Sequence, residues 1–247
     1  ELLNRFAMSG DVPYMVRGDI PQDLVTKDFD NIKSGWMKHL TVEDICEVMQ
    51  VARRNLPNVE FMYNDDNLTD PKKLAATIEL IRRIQDYSKG LGIQLIDSIG
   101  TQMHIDNNVS KEQIRNMFIE LSKLGLPIEV TEFDLAMTSE MEGLSPEEIE
   151  VIRQKKINEV YEVIEELGDQ CKIRGCTIWS KTDSQNFRVN LANELAHKSG
   201  KEFISTLHGG FFTEGMVPKS AVMAKSVRKQ NEEIREEREI IRGGVMA

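Results

Sequence analysis

The chain has 247 residues, 40 % of them hydrophobic and 29 % charged, which is enough apolar material for one large folded domain and excludes a disordered or fibrous protein. Its formal net charge of −10 sets it against a nucleic-acid backbone or an anionic membrane surface as partner. No apolar run approaches the roughly 20 residues of a membrane span, and Cys46, Cys171 and Cys176 form no CxxC pair, so neither an anchor nor a disulfide or zinc framework is expected.

Residues 9–35 carry turn formers and neither helical nor strand period, and predict a long loop. Thr41 and Asp44 then cap a helix over 41–54, with Ile45, Cys46, Met49 and Ala52 on one face. "VEFMYN" at 59–64 reads as a strand. Asp70 and Pro71 start a helix carried by Leu74, Ile78, Ile81 and Ile84 until Gly90 and Gly92. "LIDSIG" at 95–100 is a second strand, and Ser110 with Gln113 caps a helix through Ile114, Met117, Phe118 and Leu121 to Gly125. "IEVTEF" at 128–133 is a third strand. Ser145, Pro146 and Glu148 open a helix through Ile149, Ile152, Val160 and Ile164, before a fourth strand, "KIRGCTIW", at 172–179. The segment from Pro218 onward predicts a closing helix, charge-laced in its second half.

Strands alternating with amphipathic helices imply a parallel α/β sheet, either doubly wound or closed as a (β/α) barrel. No glycine-rich phosphate motif follows a strand, which favours the barrel. Each strand ends in polar residues: Asn64 and Asp65, Gln102 and His104, Glu132 and Asp134, Trp179 with Thr182 and Asp183. In a barrel all of these open into one mouth. His39, His104, His197 and His208 lack HxxxH or HExxH spacing, so no metal site or cofactor is expected.

The strand ends carry a resemblance. "FMYNDDN" resembles the LYYNDYN-type fifth strand of glycoside hydrolase family 10, the endo-1,4-β-xylanases, and "IDSIGTQMHI" resembles the sixth-strand IDGIGLQSHL pattern. "PIEVTEFD" is similar to the seventh-strand PIxITELD, "GCTIWSKTDSQNF" to the eighth-strand GVTVWGxTDxxSW, and "GGFFTEGMVPKSA" to the ending LLFDENYQPKPAY. The resemblance implies a (β/α)8 TIM barrel. This chain would supply roughly the fourth or fifth through eighth β/α units, as a single domain over 1–247 that is N-terminally incomplete.

It also implies a retaining hydrolase of β-1,4-linked polysaccharide, with two carboxylates about 5–5.5 Å apart. Glu132 stands at the nucleophile's place, and His104 would hydrogen-bond and tune it. Asn64 and Gln102 would organise the site beneath the sugar, Trp179 would offer an apolar face to a pyranose, and Asp134 would brace the loop. Asn4, in "ELLNRFA", matches the asparagine that contacts the substrate's 2-hydroxyl, but the acid/base position then holds Arg5, a poor proton donor.

Two expectations compete: an Asn-Glu pair upstream of Glu1, in a missing N-terminal half or another copy that completes the barrel, or a glycan-binding relative that has lost its acid/base. Met103 and Phe187 are smaller departures that would narrow or weaken xylose subsites. A signal peptide, if one exists, would lie upstream of Glu1, leaving a secreted and a cytoplasmic location equally open.

Overall fold

The computed structural model describes residues 41–137, 144–179, 181–182, 211–212, 215–217 and 219. The expectations for Asn4, Arg5, Asp183, Phe187, the loop at 9–35 and the closing helix lie outside these residues. The chain divides into two compact units, residues 1–136 with 159–179, which hold the sheet, and residues 137–158 with 180–247.

The four helices start where side chains satisfy their first N–H groups. α1 (Val42–Asn55) opens on a capping box in which the Asp44 N–H donates to Thr41 Oγ1 at 3.2 Å and the Thr41 N–H to Asp44 Oδ2 at 2.7 Å. α2 (Pro71–Leu91) opens on Asp70, whose carboxylate accepts the Lys72 and Lys73 N–H groups at 2.9 Å, and it ends on Gly92 at φ +65°. α3 (Lys111–Ser122) carries a second capping box between Ser110 and Gln113. α4 (Pro146–Leu167) opens on reciprocal bonds between Ser145 and Glu148. The predicted apolar stripes of α1, α2 and α3 are buried. On α4 the buried positions are Ile149, Arg153, Lys156, Ile157, Val160, Val163 and Leu167, so two cations share the stripe. Arg153 is fully buried, with its guanidinium 5.1 Å over the Phe211 ring and 3.4 Å from Glu150.

The strands are β1 (Met62–Asp65), β2 (Ser98–Thr101), β3 (His104–Asp106), β4 (Ile128–Ala136) and β5 (Ile173–Ile178), and every pairing is parallel. β1 lies beside β2, β2 and β3 both pair with β4, and β5 lies on the other side of β4. β2 and β3 thus form one strand line, interrupted at Gln102 and Met103, where Met103 takes φ +59°. β1 and β2 begin three residues later than the apolar runs predicted. Arg53 of α1 takes the carbonyls of Val59 at 2.7 Å and Gln94 at 3.0 Å and ion-pairs with Asp97, which accepts the Phe61 N–H at 2.8 Å. These backbone groups are claimed by side chains before the ladder can use them.

β4 carries one extra residue, seen from both neighbours. Thr101 pairs with Val130 and His104 with Asp134, three steps against four, while Val130 pairs with Cys176 and Phe133 with Ile178, three steps against two. A bulge between Val130 and Phe133 therefore changes which face each later residue meets. Ile128 and Val130 are buried before it, and Phe133 and Leu135 after it. An unbroken alternation would set Glu132 among the apolar residues that precede it. The bulge frees it for the opposite face.

Candidate active site at the strand ends

The register of β3 and β4 sets His104 beside Asp134, and the bulge brings Glu132 to the other side of the imidazole. His104 Nδ1 lies 2.9 Å from Asp134 Oδ1, and His104 Nε2 lies 3.3 Å from Glu132 Oε2. Burial alone would push the imidazole pKa down, but hydrogen bonds and charge from Asp134 and Glu132 outweigh it and raise the value to about 9. At neutral pH both ring nitrogens therefore carry protons and donate, one to each carboxylate.

The second oxygen of Glu132 faces β1. Asn64 Nδ2 lies 3.5 Å from Glu132 Oε1, and Asn64 Oδ1 accepts the Thr131 hydroxyl at 2.8 Å. Glu132 keeps 16 % of its side chain exposed, so it is held at both oxygens and still open to a ligand. Trp179, just past β5, is 46 % exposed and meets His104 edge to face, with ring centroids 6.2 Å apart.

Five of the expected site residues, Glu132, His104, Asn64, Asp134 and Trp179, thus stand in one contact network. Asp134 is fully buried, with its carboxylate on the His104 imidazole. Gln102 donates its backbone N–H to the Asp65 carbonyl at 2.8 Å, which ties the β2–β3 interruption to the end of β1. Asp65, expected at the mouth, turns away from it. Its carboxylate is buried against Lys73 Nζ at 3.1 Å, the Tyr63 hydroxyl at 2.9 Å and the Thr77 hydroxyl at 3.1 Å. Burial pushes the Asp65 carboxyl up to about 7, against the lowering pull of Lys73 and Tyr63.

Thr131 and Gly100 belong to the site and were not read from the sequence. A Cβ on Gly100 would stand 2.5 Å from Asn64 Oδ1 and 2.7 Å from Met62 Sδ, so only glycine leaves the amide its place. A glycine inside a predicted strand was the available signal. Among the described residues no group of three or more His, Cys, Asp or Glu side chains could hold a metal ion.

An acid held between an imidazole and an amide, with an exposed indole beside it, on a parallel β/α sheet, is the kind of side-chain cluster that α/β barrel folds gather on their strands. The chain belongs to glycosyl hydrolase family 10, whose profile matches residues 17–201.

It is 25 % identical over 166 residues to endo-1,4-beta-xylanase A of Thermotoga neapolitana, covering 66 % of this chain and 15 % of that protein. It is 24 % identical over 174 residues to endo-1,4-beta-xylanase B of Paenibacillus barcinonensis, covering 68 % and 49 %. The chain therefore spans about half of the latter relative and a smaller share of the former. Among solved structures, an endo-1,4-beta-xylanase from Caldicellulosiruptor owensensis superposes with a TM-score of 0.62 at 23 % identity, over 79 % of this chain and 57 % of that one. A mutant structure in complex with xylotriose gives 0.63 at 22 % identity, over 79 % and 57 %. The fold these structures share is the (β/α)8 barrel, of which the parallel strands and helices here form a part.

Proposed function

We propose that the protein is a retaining endo-β-1,4-glycanase that cleaves xylan or a related β-linked polysaccharide, with Glu132 as nucleophile. The observation that carries this reading is the two-sided hold on Glu132: His104 on one oxygen, Asn64 on the other, with 16 % of its side chain still exposed. The two contacts fix the direction of the carboxylate, and orientation of a nucleophile toward a bound anomeric carbon is a large part of its power. When the glycosyl bond to Glu132 breaks again, the doubly donating imidazole stands ready to receive the returning negative charge. Trp179 offers an apolar face for a pyranose ring, and family relatives named as xylanases favour xylose units.

A retaining hydrolase also needs an acid/base. Among the described residues Asp134 is the carboxylate that shares His104 with Glu132, and its burial on the imidazole unsuits it for that work. The acid/base would come from a part of the barrel beyond the described strands. The competing reading, a glycan-binding protein without cleavage, is favoured by Arg5 in "LLNRF".

Turnover of two substrates separates these readings. An aryl β-xylobioside with a good leaving group needs little protonation, so a protein with Glu132 alone releases the aryl alcohol but spares xylan. Cleavage of both substrates, lost in Glu132→Ala, supports the full glycanase. Binding of xylo-oligosaccharide with turnover of neither supports the binding protein. Turnover retained in Glu132→Ala overturns the assignment of Glu132.

A further inference from the structure

We propose that Thr131 is a positioning residue that anchors the Asn64 amide with its donor end toward Glu132. An asparagine amide has a donor end and an acceptor end of nearly the same shape, and only the donor end suits a carboxylate, which accepts alone. The Thr131 hydroxyl lies 2.8 Å from Asn64 Oδ1 and, at 3.3 Å, also reaches the Thr101 carbonyl of the neighbouring strand. The carboxylate, which only accepts, selects the donor end Nδ2, 3.5 Å from Glu132 Oε1, and the Thr131 hydroxyl, giving its one proton to the nearer Oδ1, anchors the acceptor end on β4. With the amide reversed, Oδ1 would face the carboxylate, oxygen against oxygen.

Three features converge on this arrangement. The bulge in β4 lets Thr131 and Glu132, successive residues, both stay half-buried near Asn64 instead of pointing to opposite faces. Gly100, paired with Asn64 across β1 and β2, leaves the space that Oδ1 fills. The Asp65 network with Lys73, Tyr63 and Thr77 pins the backbone next to Asn64, so the amide is steered by rotation of its own side chain. Thr131 acts through Asn64 and touches no reacting atom.

The experiment follows the Asn64 side-chain amide signals by NMR in the purified full-length protein, for wild type, Thr131→Val, Thr131→Ala and Thr131→Ser. Removal of the hydroxyl in the valine and alanine variants is expected to move the Asn64 amide pair toward the position of a solvent-exposed asparagine, and the serine variant to restore it. Having both an isosteric and a smaller variant keeps the test decisive if one of them fails to fold.

The kinetic arm rests on Glu132 being the nucleophile. There, kcat on an aryl β-xylobioside should fall about tenfold without the hydroxyl, with KM within about twofold, and recover in Thr131→Ser. An Asn64 amide that stays at its wild-type position in the valine or alanine variant overturns the proposal. If no variant or wild type turns over the glycoside, the glycanase reading fails, while the NMR result still decides the role of Thr131.

Discussion

Asp65, the last residue of β1, and Glu132, in the bulge of β4, are both acids on parallel strands, and both stand beside a residue of the Asn64 network, yet their surroundings differ. Asp65 is 2 % exposed and closed in by a lysine, a tyrosine and a threonine. Glu132 keeps 16 % of its side chain exposed and has a partner at each oxygen. A fully enclosed carboxylate can hold a fold together but cannot reach a substrate. A carboxylate held on two sides and open on the third can be both fixed and reactive.

Exchanging the roles experimentally gives the largest contrast. Glu132→Ala should lower turnover of an activated glycoside by about 10⁴-fold or more, while its unfolding midpoint moves less than that of Asp65→Ala. Asp65→Ala leaves the Lys73 ammonium buried without its counter-charge and should cost about 3–5 kcal/mol in urea unfolding. If Asp65→Ala were as stable as wild type, the distinction between a structural and a reactive acid would collapse.

The two clusters should also titrate in different windows. The His104 imidazole is raised from 6.5 to about 9, so its contribution to stability is fully present below pH 6.5 and is lost as pH rises through 9, at most about 3 kcal/mol. The Asp65 carboxyl is raised as well, so the folded state holds its proton more tightly than the unfolded chain does. Its stabilising effect is present below about pH 4 and lost as pH rises through 7. Urea unfolding across this range in wild type and His104→Gln should show the upper window vanish and the lower one remain.

Smaller effects sharpen the boundary between the clusters. Gly100→Ala should cost about 1–3 kcal/mol, because its methyl group meets the Asn64 amide and Met62 at less than contact distance. Thr41→Ala, distant from both acids, should cost about 1 kcal/mol through the lost N-cap and leave turnover unchanged.

The helices and the strand cores were legible because their signals are local. Thr41 with Asp44, Asp70 with Pro71, and Ser110 with Gln113 satisfy N–H groups within four residues, and the structure keeps these starts. Strand starts were less legible, since Arg53 and Asp97, 44 residues apart, decide them through tertiary contacts. The division between Asp65 and Glu132 was hidden for the same reason: in the sequence both read as acids at strand ends, and only the partners Lys73, Thr77 and His104 tell them apart.

One feature of the site was written in the sequence and passed over. The large apolar residues fall on even positions at Ile128 and Val130 and on odd positions at Phe133, Leu135 and Met137, although Asp134 and the small Ala136 between them are buried as well. That change of parity fits an extra residue between them, and Glu132 sits inside it. The Thr131 contact to Asn64, by contrast, spans 67 residues and has no local signature.

The most direct test of the nucleophile is mass spectrometry of the protein after reaction with a 2-deoxy-2-fluoro-β-xylobioside carrying a good leaving group, which slows hydrolysis of a covalent glycosyl-enzyme. The predicted result is a label on the peptide that contains Glu132, absent in Glu132→Ala. A label on any other carboxylate, or turnover of the activated glycoside with no labelled peptide, would contradict it.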